Sequence, residues 1–381
     1  MTNPLAILIA LQAIALALLV SRLKGGRKRS PPVSPIRDGP SDTTVSVLVP
    51  TLNEGRRIGP CLAGLHQQGA PLTEIIVIDS GSTDDTRDQV EAMRAVDDRF
   101  RLIDDRPLPE GWIGKVWALE RGRAVATGEW LLGIDADTEP RPGLVAGVIE
   151  AARANRFDMV SFAPRFAGMT RAEQWVQPAM LMTLIYRTGA AGGRGTRPDR
   201  VLANGQCFLA RASLLAEGGG YAPARRSFSD DVTLARHYAA SGARVGFLDG
   251  SRLYVVRAYE SLGQMWREWG RSIDLRDSTS RVRQAVDLLL LVFAQALPIP
   301  ILAAVAAGLI DGSPIVMDML IGINAAFVLM RVGLLAGLAG SYERPGLAFW
   351  LSPFADPIAV YRVLLSTVRR PRAWRGRQYA A

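Results

Sequence analysis

The sequence predicts an α/β domain on a mixed, mainly parallel sheet, with apolar helices of membrane-spanning character at both ends. Three observations carry this expectation. From Val45 onward, short apolar, β-branched runs alternate with stretches of helical spacing, and the strand-like runs end in polar or acidic residues. Residues 4–20 carry no charge, and long apolar stretches return after residue 285.

Val45 to Val49 reads as a strand ending at Pro50, Arg56 to Gln68 as a helix, Glu74 to Asp79 as a buried strand and Thr83 to Val96 as a second helix. Arg101 to Ile103 is a short strand, Gly114 to Ala126 a helix, and Trp130 to Ile134 and Phe157 to Phe162 are further strands. Ligands of such sheets bind beyond the C-terminal strand ends, where this chain places Asn53 and Glu54, Asp79 and Ser80, then Asp135 and Asp137. An Asp-x-Asp tripeptide arises by chance about once in a chain of this length, so its place directly after a strand gives it weight. Two carboxylates emerging together there suit a hard divalent cation, Mg2+ or Mn2+. No G-x-G-x-x-G or G-x-x-x-x-G-K-[ST] follows a strand, which disfavours the dinucleotide-binding and P-loop versions of the architecture.

The composition narrows the field further. Of 381 residues 49% are hydrophobic, and the formal net charge is +9. The basic excess sits beside the apolar stretches, at Arg22, Lys24, Arg27, Lys28 and Arg29 and again at Arg369, Arg370, Arg372, Arg375 and Arg377. That is the pattern of anchoring at the cytoplasmic face of a membrane, and no nucleic-acid partner is expected. Cys61 and Cys207 have no metal-ligand spacing, and His66 and His237 lie outside any motif, so zinc, disulfide and histidine chemistry are set aside. A cleaved signal peptide would carry its basic residues before the apolar run; here they follow it, as in an uncleaved anchor.

Four segments, Val45-Ser-Val-Leu-Val-Pro-Thr-Leu-Asn-Glu54, Ile76-Val-Ile-Asp79-Ser-Gly-Ser-Thr-Asp84-Asp, Gly114-Lys115-Val-Trp-Ala-Leu119 and Asp135-Ala-Asp137, resemble in order and spacing the family 2 glycosyltransferases. The resemblance covers roughly residues 45–280. It implies a GT-A (nucleotide-diphospho-sugar transferase) domain and inverting transfer of a sugar from a nucleotide-diphosphate donor, with UDP-glucose the expected one. It also implies roles: Pro50, Asn53, Glu54 and Asp79 hold the nucleoside, Lys115 lies near the diphosphate, and Asp135 with Asp137 bind the metal that bridges it. Ser229-Asp230-Asp231 is similar to the family's acidic motif at a helix N-terminus, with Asp230 in place of the usual Glu. This makes Asp231 the expected general base, and Asp230 its orienting partner or a helix cap.

Gly205-Gln206 through Arg211 is similar to the segment lining the acceptor side. Gln264-Met-Trp266-Arg267-Glu-Trp269-Gly-Arg271 resembles, in an irregular register, a Gln/Arg-x-x-Arg-Trp segment of membrane-embedded members, so Gln206, Trp269 and Arg271 are expected on the acceptor or diphosphate side. Ala172 to Arg187 reads equally well as an amphipathic helix on a bilayer and as a core helix. The Gly- and Arg-rich stretch Gly189 to Pro198 reads as a lid over phosphates or a plain surface loop.

Ala285 to Ile310, kinked at Pro298 and Pro300, and Ile315 to Leu338 are expected spans. Asp318 and Arg331 within the second need shelter inside protein. Leu347 to Val368 carries Pro353, Asp356 and Pro357 at its centre, and a third C-terminal crossing would strand the arginine-rich tail outside. That segment is expected to be re-entrant or interfacial. The resulting organisation is an anchor at 1–22, a basic, Pro-rich linker at 23–44, a cytosolic GT-A domain at 45–280 and a C-terminal membrane region at 281–381. It implies a multi-pass protein of the bacterial inner membrane.

A membrane collar favours a lipid alcohol as acceptor. Gly111-Trp-Ile-Gly-Lys115, the Asp-Asp variant and the terminal Trp374-Arg-Gly-Arg377-Gln-Tyr379 look most like bacterial carotenoid or hopanoid glycosyltransferases and, more distantly, ceramide glucosyltransferases. Polyprenyl-phosphate transfer, polysaccharide synthesis and a non-catalytic sugar-nucleotide receptor are the alternatives.

Overall fold

The computed structural model describes residues 4–24, 29–37, 39–192, 198–257, 259, 261–273, 275–368, 373–374 and 377–378. In chain order its first elements are α1 (Pro4–Leu23), β1 (Val45–Thr51), α2 (Ile58–His66), β2 (Leu72–Asp79), α3 (Thr86–Arg94), β3 (Phe100–Asp104), α4 (Gly114–Val125) and β4 (Trp130–Ile134). There follow β5 (Thr138–Pro140), α5 (Leu144–Asn155), β6 (Met159–Ala163), β7 (Arg165–Ala167), α6 (Arg171–Thr188), β8 (Cys207–Arg211), α7 (Ala212–Glu217), α8 (Asp230–Ala240), β9 (Val245–Asp249) and β10 (Tyr254–Arg257). The C-terminal third holds α9 (Leu262–Ser272), α10 (Arg281–Leu291), α11 (Pro298–Ala306), α12 (Pro314–Leu338), α13 (Leu347–Trp350) and α14 (Asp356–Val368).

The chain divides into two units. One comprises Arg29–Ala167, Ala191–Arg257 and Arg372–Ala381. Its seven-stranded sheet has the order β3-β2-β1-β4-β8-β6-β9. Neighbours are parallel except at β8, which runs antiparallel to both β4 and β6. The sheet is therefore mixed and mainly parallel, as expected. Strands covered on both faces must be apolar throughout, and Val47, Ile76, Leu132 and Val160 are fully buried. A smaller sheet, β5-β10-β7, completes the unit.

The expected linker is a strap on this domain from Arg29 onward. Val33 N–H donates to the Asp249 carbonyl at 2.8 Å and Ile36 N–H to the Gly143 carbonyl at 3.0 Å. A Cβ on Gly147 would stand 2.7 Å from the Ser34 carbonyl oxygen, so the strap needs glycine beneath it. Pro31, Pro32 and Pro35 preset the extended chain that lies down there.

The other unit comprises Met1–Lys28, Gly168–Ala190 and Ala258–Pro371. It takes residues 168–190 and 258–280 out of the expected catalytic span. Helix α6 is a core helix of this unit: Val176, Ala179, Met180, Met182 and Tyr186 are buried in its apolar interior. Three helical stretches, Pro4–Leu23, Arg281–Ala306 and Pro314–Ser341, are long and apolar enough to cross a membrane. They run in register. Gln12 and Asn324 exchange side-chain hydrogen bonds at 2.8 and 3.0 Å, and Gln12 donates to the Phe293 carbonyl at 3.3 Å. Near one end Arg22 pairs with Asp287 at 2.7 Å, and near the other a Cβ on Gly312 would lie 3.3 Å from Leu5. The expected kink is a π-helical turn, Val292–Ala296, immediately before Pro298, whose missing N–H cannot extend the regular ladder.

Residues 347–368 are broken into α13, a 3-10 turn at Ser352–Ala355 and α14, and no membrane-length helix forms there. Arg331 of α12 is sheltered by this break: its Nε donates to Asp356 Oδ2 at 2.8 Å and its Nη2 to Ser352 Oγ at 3.2 Å. Gln295 donates to Asp356 Oδ1 at 3.0 Å. Arg331→Met would leave the buried Asp356 charge without its partner and is expected to cost about 3–5 kcal/mol, read as a lower unfolding temperature of the detergent-solubilised protein. An unchanged unfolding temperature would mean that the pair is not held as drawn.

Candidate active site

Because β1 pairs in parallel with both β2 and β4, the ends of these strands open on one edge of the sheet. Thr51 stands opposite Asp79 there. Asp79 is fully buried. Its carboxylate accepts the Ser82 N–H at 3.2 Å and pairs with Arg87 at 2.7 Å. Gly81, at φ +87°, allows the loop to turn back over that carboxylate.

Pro50 sits half-buried in β1, one residue from the strand end. Asn53 takes the left-handed conformation, φ +55°, and its Oδ1 accepts the Thr83 N–H at 2.8 Å, which ties the loop after β1 to the loop after β2. Glu54 is buried, with its backbone N–H on Thr86 Oγ1 at 2.8 Å and its carboxylate on Arg57 at 2.9 Å.

Asp135 and Asp137 follow β4. Lys115, in the first turn of α4, places its ammonium 2.6 Å from Asp135 Oδ1. Burial works against the charge on Lys115, but Asp135, Asp230 and Asp231 more than offset it and hold its pKa above the usual lysine range. Asp137 is 4.0 Å from Arg57. Its Oδ1 is buried without a hydrogen-bond partner, and burial together with Asp135 and Glu54 pushes its carboxyl up to about 7. A buried carboxylate oxygen with no hydrogen-bond partner beside a second carboxylate fits the oxygen donor set of a hard divalent cation.

Among the described residues no group of three or more His, Cys, Asp or Glu side chains is arranged as a metal cage. A Mg2+ or Mn2+ held by Asp135 and Asp137 would therefore complete its shell with water and substrate oxygens, as Mg2+ does at phosphate sites. The residues present fit such an ion. Cys61 does not contribute: its Sγ lies 3.8 Å from the Asp135 carbonyl oxygen, and burial pushes the thiol up to about 12.

Asp230 and Asp231 occupy the first turn of α8, where the helix dipole and free N–H groups favour acids. Asp231 is held by two backbone donors: Gly205 N–H to Oδ2 at 2.8 Å and Val232 N–H to Oδ1 at 2.8 Å. A Cβ on Gly205 would lie 3.1 Å from Lys115 Nζ and 3.5 Å from Asp231 Cβ, so the backbone passes close to both groups. The Gln206 carbonyl accepts the Asp135 N–H at 3.2 Å, and Gln206 Oε1 accepts from Asn204 at 3.0 Å. The residues leading into the antiparallel strand β8 thus join Asp135 to the acids of α8.

Burial raises Asp230 to about 7, with Lys115 opposing, and it also raises Asp231 against Lys115 and the two N–H donors. A base must be ionised to work. Turnover is accordingly expected to fall as pH drops through a midpoint above the ordinary aspartate value of 3.8. A pH–rate profile flat down to pH 4 would remove these acids from that role.

Trp269 belongs to the other unit, where it is buried at 7% exposure in the apolar core. The side chain of Arg271 lies outside the described residues, as do residues 193–197 of the Gly- and Arg-rich stretch and residues 375, 376 and 379 of the terminal motif. Arg57, Arg87 and the Gly205 N–H are parts of the site that the sequence reading did not single out. A basic residue three places after Glu54 is the one local hint among them.

The strand order is that of a GT-A like α/β domain, with acids at the strand ends and an acid pair opening α8. Residues 46–219 match the family described as Glycosyl transferase family 2. Glycosyltransferase GlyG of Streptococcus pneumoniae is 28% identical over 116 residues, which is 30% of this chain and 37% of that protein. A PGL/p-HBAD biosynthesis glycosyltransferase of Mycobacterium bovis is 36% identical over 92 residues, 24% of this chain and 34% of that protein. The chain thus spans little more than a third of the length of these curated relatives. A mannosyltransferase, PcManGT of Pyrobaculum calidifontis, solved with GDP-Man and Mn2+, shares the fold with a TM-score of 0.56 at 20% identity, over 96% of this chain and 97% of that one.

Proposed function

We propose that this chain is a membrane-bound, inverting glycosyltransferase. It moves a sugar from a nucleotide-diphosphate donor, UDP-glucose in the first instance, to the hydroxyl of a membrane lipid of carotenoid or hopanoid type. The observation that carries this reading is the place of Lys115, paired with Asp135 at 2.6 Å and electrostatically coupled to Asp230 and Asp231. One cation between two acid pairs is the arrangement needed where an anionic leaving group and a proton acceptor serve the same sugar carbon.

Asp79, Thr51 and Ser82 frame the nucleoside end. Lys115 offers its charge to the diphosphate, with the N-terminal N–H groups of α4 beside it. Asp231 takes the hydroxyl proton of the acceptor while that oxygen bonds to the anomeric carbon, and the carbon–oxygen bond to the diphosphate breaks on the opposite face. No covalent sugar–enzyme intermediate forms, and the anomeric configuration inverts. A divalent cation on Asp135 and Asp137 would supply positive charge to the departing diphosphate, and the Pyrobaculum protein makes Mn2+ the first ion to try.

The apolar helices and the basic residues beside them support a lipid acceptor and residence in the bacterial inner membrane, with the sheet-bearing residues 29–167 and 191–257 on the cytosolic side. Membranes containing the protein, incubated with a panel of labelled sugar nucleotides, should yield a labelled lipid. Label found solely in water-soluble product would overturn the lipid acceptor, and label on a phosphate-bearing polyprenol would replace the alcohol by a phosphate.

A further inference from the structure

Along the open edge of the sheet, the end of β2 stands two strands from the end of β4 and the end of β3 stands three, about 10–15 Å away. On the donor reading proposed above, a diphosphate beside Lys115 and Asp135 directs the base of the nucleotide toward β2 and β3. The acids at those two strand ends are already engaged. Asp79 stands opposite Asp104 in the parallel register. The Asp79 carboxylate, 1% exposed, accepts the Gly81 N–H at 3.3 Å and the Ser82 N–H at 3.2 Å, besides the Arg87 guanidinium at 2.7 Å. Both Asp104 oxygens accept from Arg106.

Arg87 is the group left open. Its side chain is 42% exposed and donates Nη1 to Asp79; among the described residues Nε and Nη2, which form one edge of the guanidinium fork, have no hydrogen-bond partner. The helix supplies no local reason for a cation here, because Arg87 lies in the first turn of α3, where the dipole disfavours positive charge. The carboxylate that holds Arg87 is itself fixed by two backbone N–H groups, so the free edge of the guanidinium is set in place.

We propose that Arg87 reads the nucleobase of the donor and selects a keto base, uracil or guanine, over an amino base, cytosine or adenine. The inference deepens the reading of the donor site and rests on it. A guanidinium carries donors and no acceptor. Its free edge can donate to O4 of uracil, or to O6 and N7 of guanine together. The N4 amine of cytosine and the N6 amine of adenine would face it donor to donor. Asp79 then acts on the base through Arg87: the buried carboxylate sets the guanidinium, and the guanidinium meets the ligand.

The test is equilibrium binding of UDP, CDP, GDP and ADP, each with Mn2+, to the full chain in detergent. Within a pair of equal ring size, the parent should prefer UDP to CDP or GDP to ADP by about tenfold or more, and the pair that shows the preference identifies the base. Arg87→Gln supplies an amide that can turn its oxygen toward an amine, and should bring that ratio to within about threefold of unity. Arg87→Lys keeps donors alone and a cation against Asp79, so it should retain the preference; this separates base reading from mere support of Asp79. A parent that binds the keto and amino members of both pairs equally would overturn the proposal whether or not either variant folds. A Gln variant that weakens all four nucleotides alike and retains the ratio would also overturn it. A parent that binds none of the four would remove the donor reading itself, which distinguishes that failure from this one.

Discussion

Replacing Asp231 with Asn is expected to lower turnover by about 100-fold or more while leaving donor affinity nearly unchanged. The substitution keeps the shape of the side chain, and its single amide oxygen can still accept the Gly205 N–H while the contact with the Val232 N–H is given up, so the loop at Gly205 should stay in place. What disappears is the ability to take a proton. A hydroxyl acceptor is a weak nucleophile at neutral pH, so the barrier is expected to rise by the full contribution of base assistance. Equilibrium binding of the sugar nucleotide and a single-turnover rate, measured on the same reconstituted sample, separate the two quantities. Turnover within a factor of about three of the parent would strip Asp231 of the role and revive the non-catalytic reading, in which a donor site needs no base.

The second large effect is expected at Asp137. Asp137→Asn should weaken Mn2+ binding by about tenfold or more, followed by the room-temperature spectrum of the free ion, and lower turnover by about 100-fold or more at fixed Mn2+. Stability distinguishes this from simple misfolding. Burial raises the Asp137 carboxyl to about 7, so the folded protein holds that proton more tightly than the unfolded chain does. The group therefore costs stability increasingly as pH climbs from 3.8 toward about 7, and the cost persists above it. A neutral amide removes the cost. At pH 8 and without metal, the variant should unfold no earlier than the parent, although it has lost the ion. A variant that binds Mn2+ normally, or that unfolds well below the parent, would contradict the assignment of Asp137 as a ligand held ready by burial.

The placement of the candidate site's acids was legible because its signals are local. Asp79 and Asp135 each close or follow an apolar run of strand length, and a parallel sheet places such ends on one edge. Asp231 was legible through its neighbour and its place at a helix start. The partners of these acids were not. Arg87 reaches Asp79 because the loop after β2 folds back at Gly81, and the Gly205 N–H reaches Asp231 because an antiparallel strand enters the sheet beside β4. Neither contact leaves a mark on the spacing of residues along the chain.

Element type, the acids at the strand ends and the apolar stretches follow from the sequence alone, since periodicity, turn residues and charge act within a few residues of one another. The tertiary structure decided which surface each element covers. Helix α6 is equally plausible on a bilayer or in a core until Tyr186, Met182 and Ala179 find partners from distant helices. Residues 29–37 are linker-like in composition until Asp249 and Gly143 bind them. Lys115 is one lysine among many basic residues until the sheet sets it against Asp135 and near α8. Burial and charge pairing are properties of groups far apart in the chain, and folding is what makes them neighbours.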